Sequence, residues 1–334
     1  MKEKRTEKHE REEKVRELTE KLEAGILDLF DSERYKQYLD IMSRFPRYSA
    51  NNCVLILMQK PDATAVGGFH HWKKMGRNIA SGEKGLQIIQ PAPQKYYRWE
   101  TARDEDGNVM YNEDGTKKKI RVTREYMNFT VGYVWDYSQT SGAPWTELPS
   151  MVKLLDGDVE NYDILMDSLI SICPPVRFED YNDRSNGYYT PSQHEIVVKD
   201  SIPKKQKLKT LLHECAHSRL HMIGGIDAGE DRSTKECEAE SIAYVVANYF
   251  GLDSSEYSFG YIGSWSTGKD LPELQAKLQT IQKTACEMIT EIEHEVEKRT
   301  LVQTETVEQR PMIQEKTVVV IQERPPRTIS HRRR

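Results

Sequence analysis

LLHECAHSRLH, residues 211–221, decides how the second half of this 334-residue chain is read. On an α-helix, positions four apart differ by about 40° in azimuth and about 6 Å along the axis, so imidazoles at His213 and His217 converge on one point. Glu214 projects beside that point. A carboxylate placed there serves as general base toward a metal-activated water and then as proton donor to a leaving amine. His221 lies about 12 Å along the axis from His213, too far to share one tetrahedral ion, and is expected in solvent or behind a ligand. The metzincin pattern is absent, because Leu220 and Ile223 occupy its glycine and third-histidine positions.

A catalytic zinc takes three protein ligands and keeps a fourth position for water. The segment TKECEAESIAYVVANYFGL (234–252) offers Glu236, Glu238 and Glu240. Glu236 and Glu240 share a helix face, while Glu238 points roughly 200° away from Glu236. One carboxylate of such a pair coordinates and the other accepts the ring N–H of a ligating histidine. The expected site is therefore His213, His217 and Glu236 as metal ligands, Glu214 as catalytic base, Glu240 behind a histidine and Zn2+ as the ion. Glu238 and Glu240 stay open as alternative third ligands. Glu236 also has a competing reading, since Ser233-Thr-Lys-Glu236 has the form of a capping box with Ser at N-cap and Glu at N3. Two helices with merely exposed polar faces would fit poorly beside Leu211, Leu212, Ala216 and IAYVVANYF, because carboxylates and imidazoles amid such packing need partners. Cys215 and Cys237 point to other azimuths and read as core thiols.

Outward from this pair, Ser233–Phe250 reads as a helix ended by Gly251, and Leu271, Leu274, Leu278, Ile281, Ala285, Met288 and Ile292 mark a long amphipathic helix. Upstream, a helix near Tyr162–Ile172 is stopped by Pro174-Pro175, and Ile196–Val198 forms a short strand. The first half is mixed. Val15, Leu18, Leu22, Ile26 and Leu29, then Tyr35, Tyr38, Leu39 and Met42, recur at helical spacing, whereas the first dozen residues carry no stripe and are expected to fray. NNCVLILMQKP (51–61) is apolar, GEKGLQIIQPAP (82–93) turns into a strand, and IRVTREYMNFTVGYVWDYSQT (120–140) alternates as strands do. Two Asp-Gly turns, at 106–108 and 114–116, predict a hairpin inserted in a small sheet.

The expected fold class is α+β, a small basic α+β N-terminal domain plus a mainly helical zincin-like metallopeptidase domain. Its expected divisions are a charged helical extension at 1–30, a domain at 31–145 with the hairpin insert at about 95–125, the metallopeptidase domain at 146–299 and a disordered basic-ended tail at 300–334. SGAPW (141–145) marks the boundary.

Hydrophobic residues make up 37% of the chain, enough for a sizeable core. No apolar run of membrane-spanning length occurs and the N-terminus is densely charged, so the expected location is the cytoplasm, with no membrane partner. Five scattered cysteines without a CxxC pair exclude a disulfide framework or a zinc ribbon. A net charge of −5 excludes a surface that coats nucleic acid everywhere, yet Arg44 to Arg124 holds fifteen Lys/Arg against eight Asp/Glu. There Lys73, Lys74, Arg77 and Lys84 are candidate phosphate contacts, and Phe69, Trp72 and Trp135 candidate stacking faces for unpaired bases. The competing reading puts the tryptophans in the core of a small sheet and the lysines on a solvated face.

HECAH followed by ECEAESIAYVV resembles the zincin peptidases of the ImmA/IrrE kind, in which a helical HExxH is completed by a downstream glutamate. RYSANNCVLILMQKPDATAVGGFHHWKKMGRNIASGEKGLQIIQPAP (47–93), with VGYVWDYSQTSG (131–142), is similar to the ArdC/LtrC-like antirestriction proteins of conjugative elements. The hairpin insert and the C-terminal tail lie outside that likeness. The resemblance implies a zinc metalloendopeptidase acting on a protein or peptide and joined to a single-stranded-DNA-binding domain. Two other readings remain: an antirestriction single-strand binder whose zinc is structural or vestigial, and a repressor-cutting peptidase whose N-terminal half makes only protein contacts.

Overall fold

A computed structural model describes residues 2–142, 144, 159–224, 229–252, 257, 259, 260 and 262–308. Helix α1 (Lys2–Asp28) sends the stripe Leu18, Leu22 and Ile26 inward, so the segment expected to be an extension supplies part of the core. Its first turn begins at Lys2. Asp31 caps α2 (Ser32–Arg44) by accepting from the backbone N–H groups of Glu33 and Arg34, and Ser49 caps α3 (Ala50–Gln59) through Asn52 N. These caps satisfy donors that the first helical turn leaves without a partner.

β1 (Val66–Gly67), α4 (Phe69–Lys74), β2 (Arg77–Ile79) and β3 (Leu86–Pro91) follow. β4 (Gln94–Thr101) and β5 (Lys119–Tyr126) form the inserted hairpin, and β6 (Phe129–Asp136) returns to the sheet ahead of β7 (Thr140–Gly142). β6 is central, antiparallel to β1 on one side and β3 on the other, while β2 pairs with β7. The outer edge of β3 is closed by side chains. Asn52 exchanges hydrogen bonds with the Ile89 backbone at 2.9 and 3.0 Å, and Gln59 does the same with Gln87 at 2.8 and 2.9 Å. Two amides thus take the place of a neighbouring strand and blunt an edge that would otherwise template pairing. At the far end of β6, buried Asp136 accepts from Thr64 N, Ala65 N and Ser138 N.

The second half comprises α5 (Val159–Ile172), β8 (Val176–Phe178), β9 (Gly187–Thr190), β10 (Glu195–Val198), α6 (Lys204–Leu220), α7 (Arg232–Tyr249), α8 (Ile262–Ser266) and α9 (Leu271–Glu308). β10 lies between parallel β8 and antiparallel β9, which leaves β9 at the sheet edge. The chain is α+β, as its sequence predicts. One buried apolar cluster runs from Leu18 through α7 to Val296 of α9 and draws on both halves. Polar ties cross it as well: Asp40 of α2 accepts from Tyr244 at 2.6 Å and from Asn248 at 3.0 Å, and Tyr35 bonds Ser241 at 2.9 Å. α9 remains helical to Glu308, past the start of the expected irregular tail, while 309–334 and, of the expected boundary loop, Ala143 and Trp145 lie outside the described residues.

Candidate metal centre

α6 and α7 pack face to face and bring the two sequence motifs together. His213, His217 and Glu236 each offer one ligand atom, and these atoms lie within 4.8 Å of one another. His213 Nε2 and His217 Nε2 are 3.0 Å apart, with Glu236 Oε2 at 3.4 and 3.6 Å from them. Two imidazole nitrogens and one carboxylate oxygen form the donor set of a three-ligand catalytic zinc site, so these residues fit a divalent cation.

The capping-box reading of Glu236 falls. α7 begins earlier than that reading requires, with Asp231 as N-cap accepting from Thr234 N at 3.1 Å and Thr234 Oγ1 at 2.7 Å. Glu236 is then past the first turn and its carboxylate faces the histidines.

The ring orientations follow from what lies behind them. Glu240 Oε2 is 3.3 Å from His213 Nδ1, placed to accept that ring proton and leave the Nε2 lone pair facing the cluster. His217 is backed by a longer chain. Glu238, fully buried, can only accept as a carboxylate, so His221 Nε2 donates to Glu238 Oε2 at 3.1 Å. His221 Nδ1 must then accept from His217 Nδ1 at 2.8 Å, which leaves His217 Nε2 free to donate its lone pair. Lys277 of α9 closes the chain as an ion pair, its Nζ 3.0 Å from Glu238 Oε1 and 2.8 Å from Glu230 Oε1.

The electrostatics agree with this placement. Burial pulls the His213 pKa down, but the Glu236 and Glu240 carboxylates outweigh it and raise it to about 10. Two carboxylates drawing on one imidazole mark where positive charge is best placed. The His217 pKa is lowered by burial and by its histidine neighbours, against the pull of Glu236. Glu236 is held well below the usual carboxylate range by its contacts with His213 and His217.

Glu214 is buried beside the cluster, and its pKa is raised by desolvation and by the Glu236 charge, against the pull of His213 and the Tyr189 backbone N–H. A carboxylate so shifted is a better base at neutral pH. It lines a cleft of about 730 Å3 with Tyr189, His213, His217 and Glu236, and a cavity of about 260 Å3 that also touches Glu240 and Tyr257. β9 forms one wall. Its first residue is glycine because a Cβ there would meet Thr210 Cγ2 at 2.4 Å and Glu214 Cγ at 3.5 Å, a close approach of strand to helix that only glycine allows. Of the tyrosines at 257–265, Tyr257 reaches this cavity and Tyr261 lies outside the described residues.

Sequence reasoning missed the part of this network that is least exposed. Glu238 and Lys277 each sit on the apolar stripe of a helix, among Ile242 and Val245 in one case and Leu274 and Ile281 in the other. Opposite charges on two stripes that must face each other were the available signal.

The candidate DNA-contact residues do not come together in the same way. Trp72 is 1% exposed, and its Nε1 donates to Trp135 O at 2.8 Å, so its ring belongs to the core and offers no stacking face. Arg77 is also buried, bonded through Nε to Thr140 Oγ1 and through Nη2 to Thr140 O, with Tyr137 against its guanidinium. It holds β2 to β7 and is not available to phosphate. Lys73, Lys74 and Lys84 are exposed.

A family model describing the N-terminal domain of anti-restriction factor ArdC matches residues 8–131. The matched range begins inside α1 and runs through the hairpin, so it extends beyond the phrases that carry the likeness in the sequence. The Bacillus anthracis protein pXO2-81, itself uncharacterized, is 25% identical over 319 residues, covering 86% of this chain and 53% of that protein. The chain thus spans about half the length of the curated relative it matches. Crystal structures of the antirestriction ArdC protein from the R388 plasmid, metal-free and Mn(II)-bound, are 19% and 16% identical. They cover 73% and 75% of this chain and 85% of their own, with TM-scores of 0.40 and 0.41. No helix among the described residues is long and apolar enough to cross a membrane.

Proposed function

We propose that this chain is an antirestriction protein of the ArdC type, in which an N-terminal half that binds single-stranded DNA is joined to a Zn2+-dependent peptidase centre related to the ImmA/IrrE zincins. The match over residues 8–131 supports the antirestriction and DNA-binding part, and with it carriage on a mobile element. The peptidase part is supported by one observation, the convergence of His213, His217 and Glu236 beside the buried carboxylate of Glu214.

A divalent ion held by that triad would supply Lewis-acid polarisation of a peptide carbonyl and make water more acidic. Glu214, with its raised pKa, takes the proton from water and returns it to the departing amine. Glu240 and His221 fix the ring orientations of His213 and His217. The outer edge of β9 lies along the cleft, where an extended peptide can add as a further strand with its backbone beside Glu214.

The test pairs two measurements on the full chain. Salt-dependent affinity for single strands is expected of the wild type, and its absence overturns the DNA part. Against unfolded protein substrates, the zinc-loaded wild type cleaves, while Glu214→Gln keeps its metal and loses cleavage. Metal binding with no cleavage by the wild type would establish instead the reading in which zinc is structural.

A further inference from the structure

With Trp72 and Arg77 committed to the core, the region around α4 keeps exposed Phe69, Lys73, Lys74 and Lys84 but loses its largest stacking ring and one of its cations. A denser group of exposed rings and cations stands on the hairpin. β4 and β5 pair with each other from Gln94↔Tyr126 to Thr101↔Lys119 and with no other strand among the described residues, making a ribbon roughly 25 Å long. Isolated bridges at Arg103↔Val109 and Tyr111↔Lys117 extend it toward the Asp-Gly turns, where Gly107 and Gly115 adopt positive φ. Trp99 is 65% and Tyr97 59% exposed, and Tyr96 and Tyr126 are exposed on the opposite face. A two-stranded ribbon with both faces in water is marginal by itself. Large aromatic rings left there call for something that covers them.

We propose that the face of this ribbon carrying Tyr97 and Trp99 is the docking surface for single-stranded DNA, an assignment that rests on the single-strand reading above. The register puts Lys95, Tyr97 and Trp99 of β4 on one face with Lys119, Arg121 and Thr123 of β5. Tyr97 and Trp99 are two residues apart on one strand, a spacing of about 6.7 Å and twice the roughly 3.4 Å rise of stacked nucleotides. Successive unpaired bases can therefore stack along the ribbon in step with its rings. Duplex DNA keeps its base faces hidden and cannot.

The charge matches that occupant. The two strands hold five Lys/Arg against two Glu. The glutamates are taken up by Lys95–Glu125 and Arg124–Glu100, which leaves Lys119 and Arg121 on this face, and Arg98 on the opposite one, without a carboxylate partner among the described residues. Arg121 lies over the Tyr97 ring with its guanidinium carbon 3.5 Å from the centroid, so the cation covers one face of a ring that is still largely exposed and stands where a phosphate beside a stacked base would pass.

The experiment is fluorescence anisotropy of labelled oligo(dT) with the full chain, between about 50 and about 200 mM salt. Tyr97→Ala and Trp99→Ala are each expected to weaken binding roughly ten- to a hundredfold, while Trp99→Phe retains most of the affinity. Lys119→Gln and Arg121→Gln are expected to flatten the log–log salt slope by about 0.7 for each phosphate left without its cation. All four positions are exposed, so unchanged melting temperatures confirm intact folds. If Lys73→Ala with Lys74→Ala abolishes binding and the ribbon variants do not, DNA docks on α4 and the ribbon assignment is wrong while the single-strand reading survives. Ribbon variants that alter self-association and leave oligo(dT) affinity untouched would reassign the surface to a second copy. Failure of the wild type to bind overturns both readings together.

Discussion

Replacing Lys277 by methionine removes the ammonium that faces Glu238 from α9. The lysine side chain is 7% exposed and that of Glu238 0%, with Nζ 3.0 Å from Oε1. Methionine fills much of the same volume, so the dominant loss is electrostatic: a carboxylate stranded in the core beside His221. Breaking a buried pair in this way costs about 3–5 kcal/mol. Glu238→Gln added to Lys277→Met removes the stranded charge, so the double variant should be more stable than the sum of the two single losses by about 1–3 kcal/mol. Urea unfolding in the presence of a chelator measures this without the contribution of bound metal. The same Glu238→Gln variant weakens the acceptor behind His221, and through it the orientation of His217, so zinc affinity in a chelator competition should drop about 10- to 100-fold. A cost under about 1 kcal/mol for Lys277→Met, or strict additivity in the double variant, would refute the buried chain from Lys277 to His217.

Trp72→Ala should cost about 3–5 kcal/mol in unfolding experiments, as the loss of a core ring does, while Trp72→Phe leaves oligo(dT) affinity unchanged. Gly187→Ala pushes β9 off α6 through the clash with Thr210 Cγ2, which should cost about 1–3 kcal/mol, and Thr210→Ser in the same chain should recover part of it. Asp136 titrates below the ordinary carboxylate range, because Ser138 and the N–H groups of Ala65 and Thr64 favour its charged form against the desolvation that raises it. Its folded pKa is the depressed one, so its contribution is full above the unfolded value near 3.8 and is lost as pH falls through the folded value. Asp136→Asn should therefore be less stable at neutral pH and show a shallower decline on acidification, measured as melting temperature against pH.

The elements that can be read from the sequence are those with one strong period. The stripe from Val15 to Leu29, the run from Leu271 to Ile292 and the alternation at 129–136 each specify an element and the face it buries. HExxH fixes the helical placement of its own residues for the same reason, since backbone geometry alone sets the spacing of His213 and His217. Azimuth also puts Glu236 and Glu240 on a common face. What periodicity cannot reveal is which helix lies behind a given side chain. Axial distance alone removes His221 from the ligand set, but its place between His217 and Glu238 depends on how α6, α7 and α9 cross. Trp72 and Arg77 mislead for a related reason. A basic, aromatic phrase looks like a nucleic-acid surface until a sheet folds over it, whereas the hairpin, similar in composition, keeps its rings in solvent.

The proposed chemistry requires that α6 and α7 jointly hold one divalent cation through His213, His217 and Glu236. Elemental analysis of protein purified with zinc tests it most directly. Stoichiometric zinc in the wild type, lost in both His213→Ala and Glu236→Ala at retained helical content, is the outcome this account requires. Stoichiometric zinc that persists in His213→Ala would contradict it.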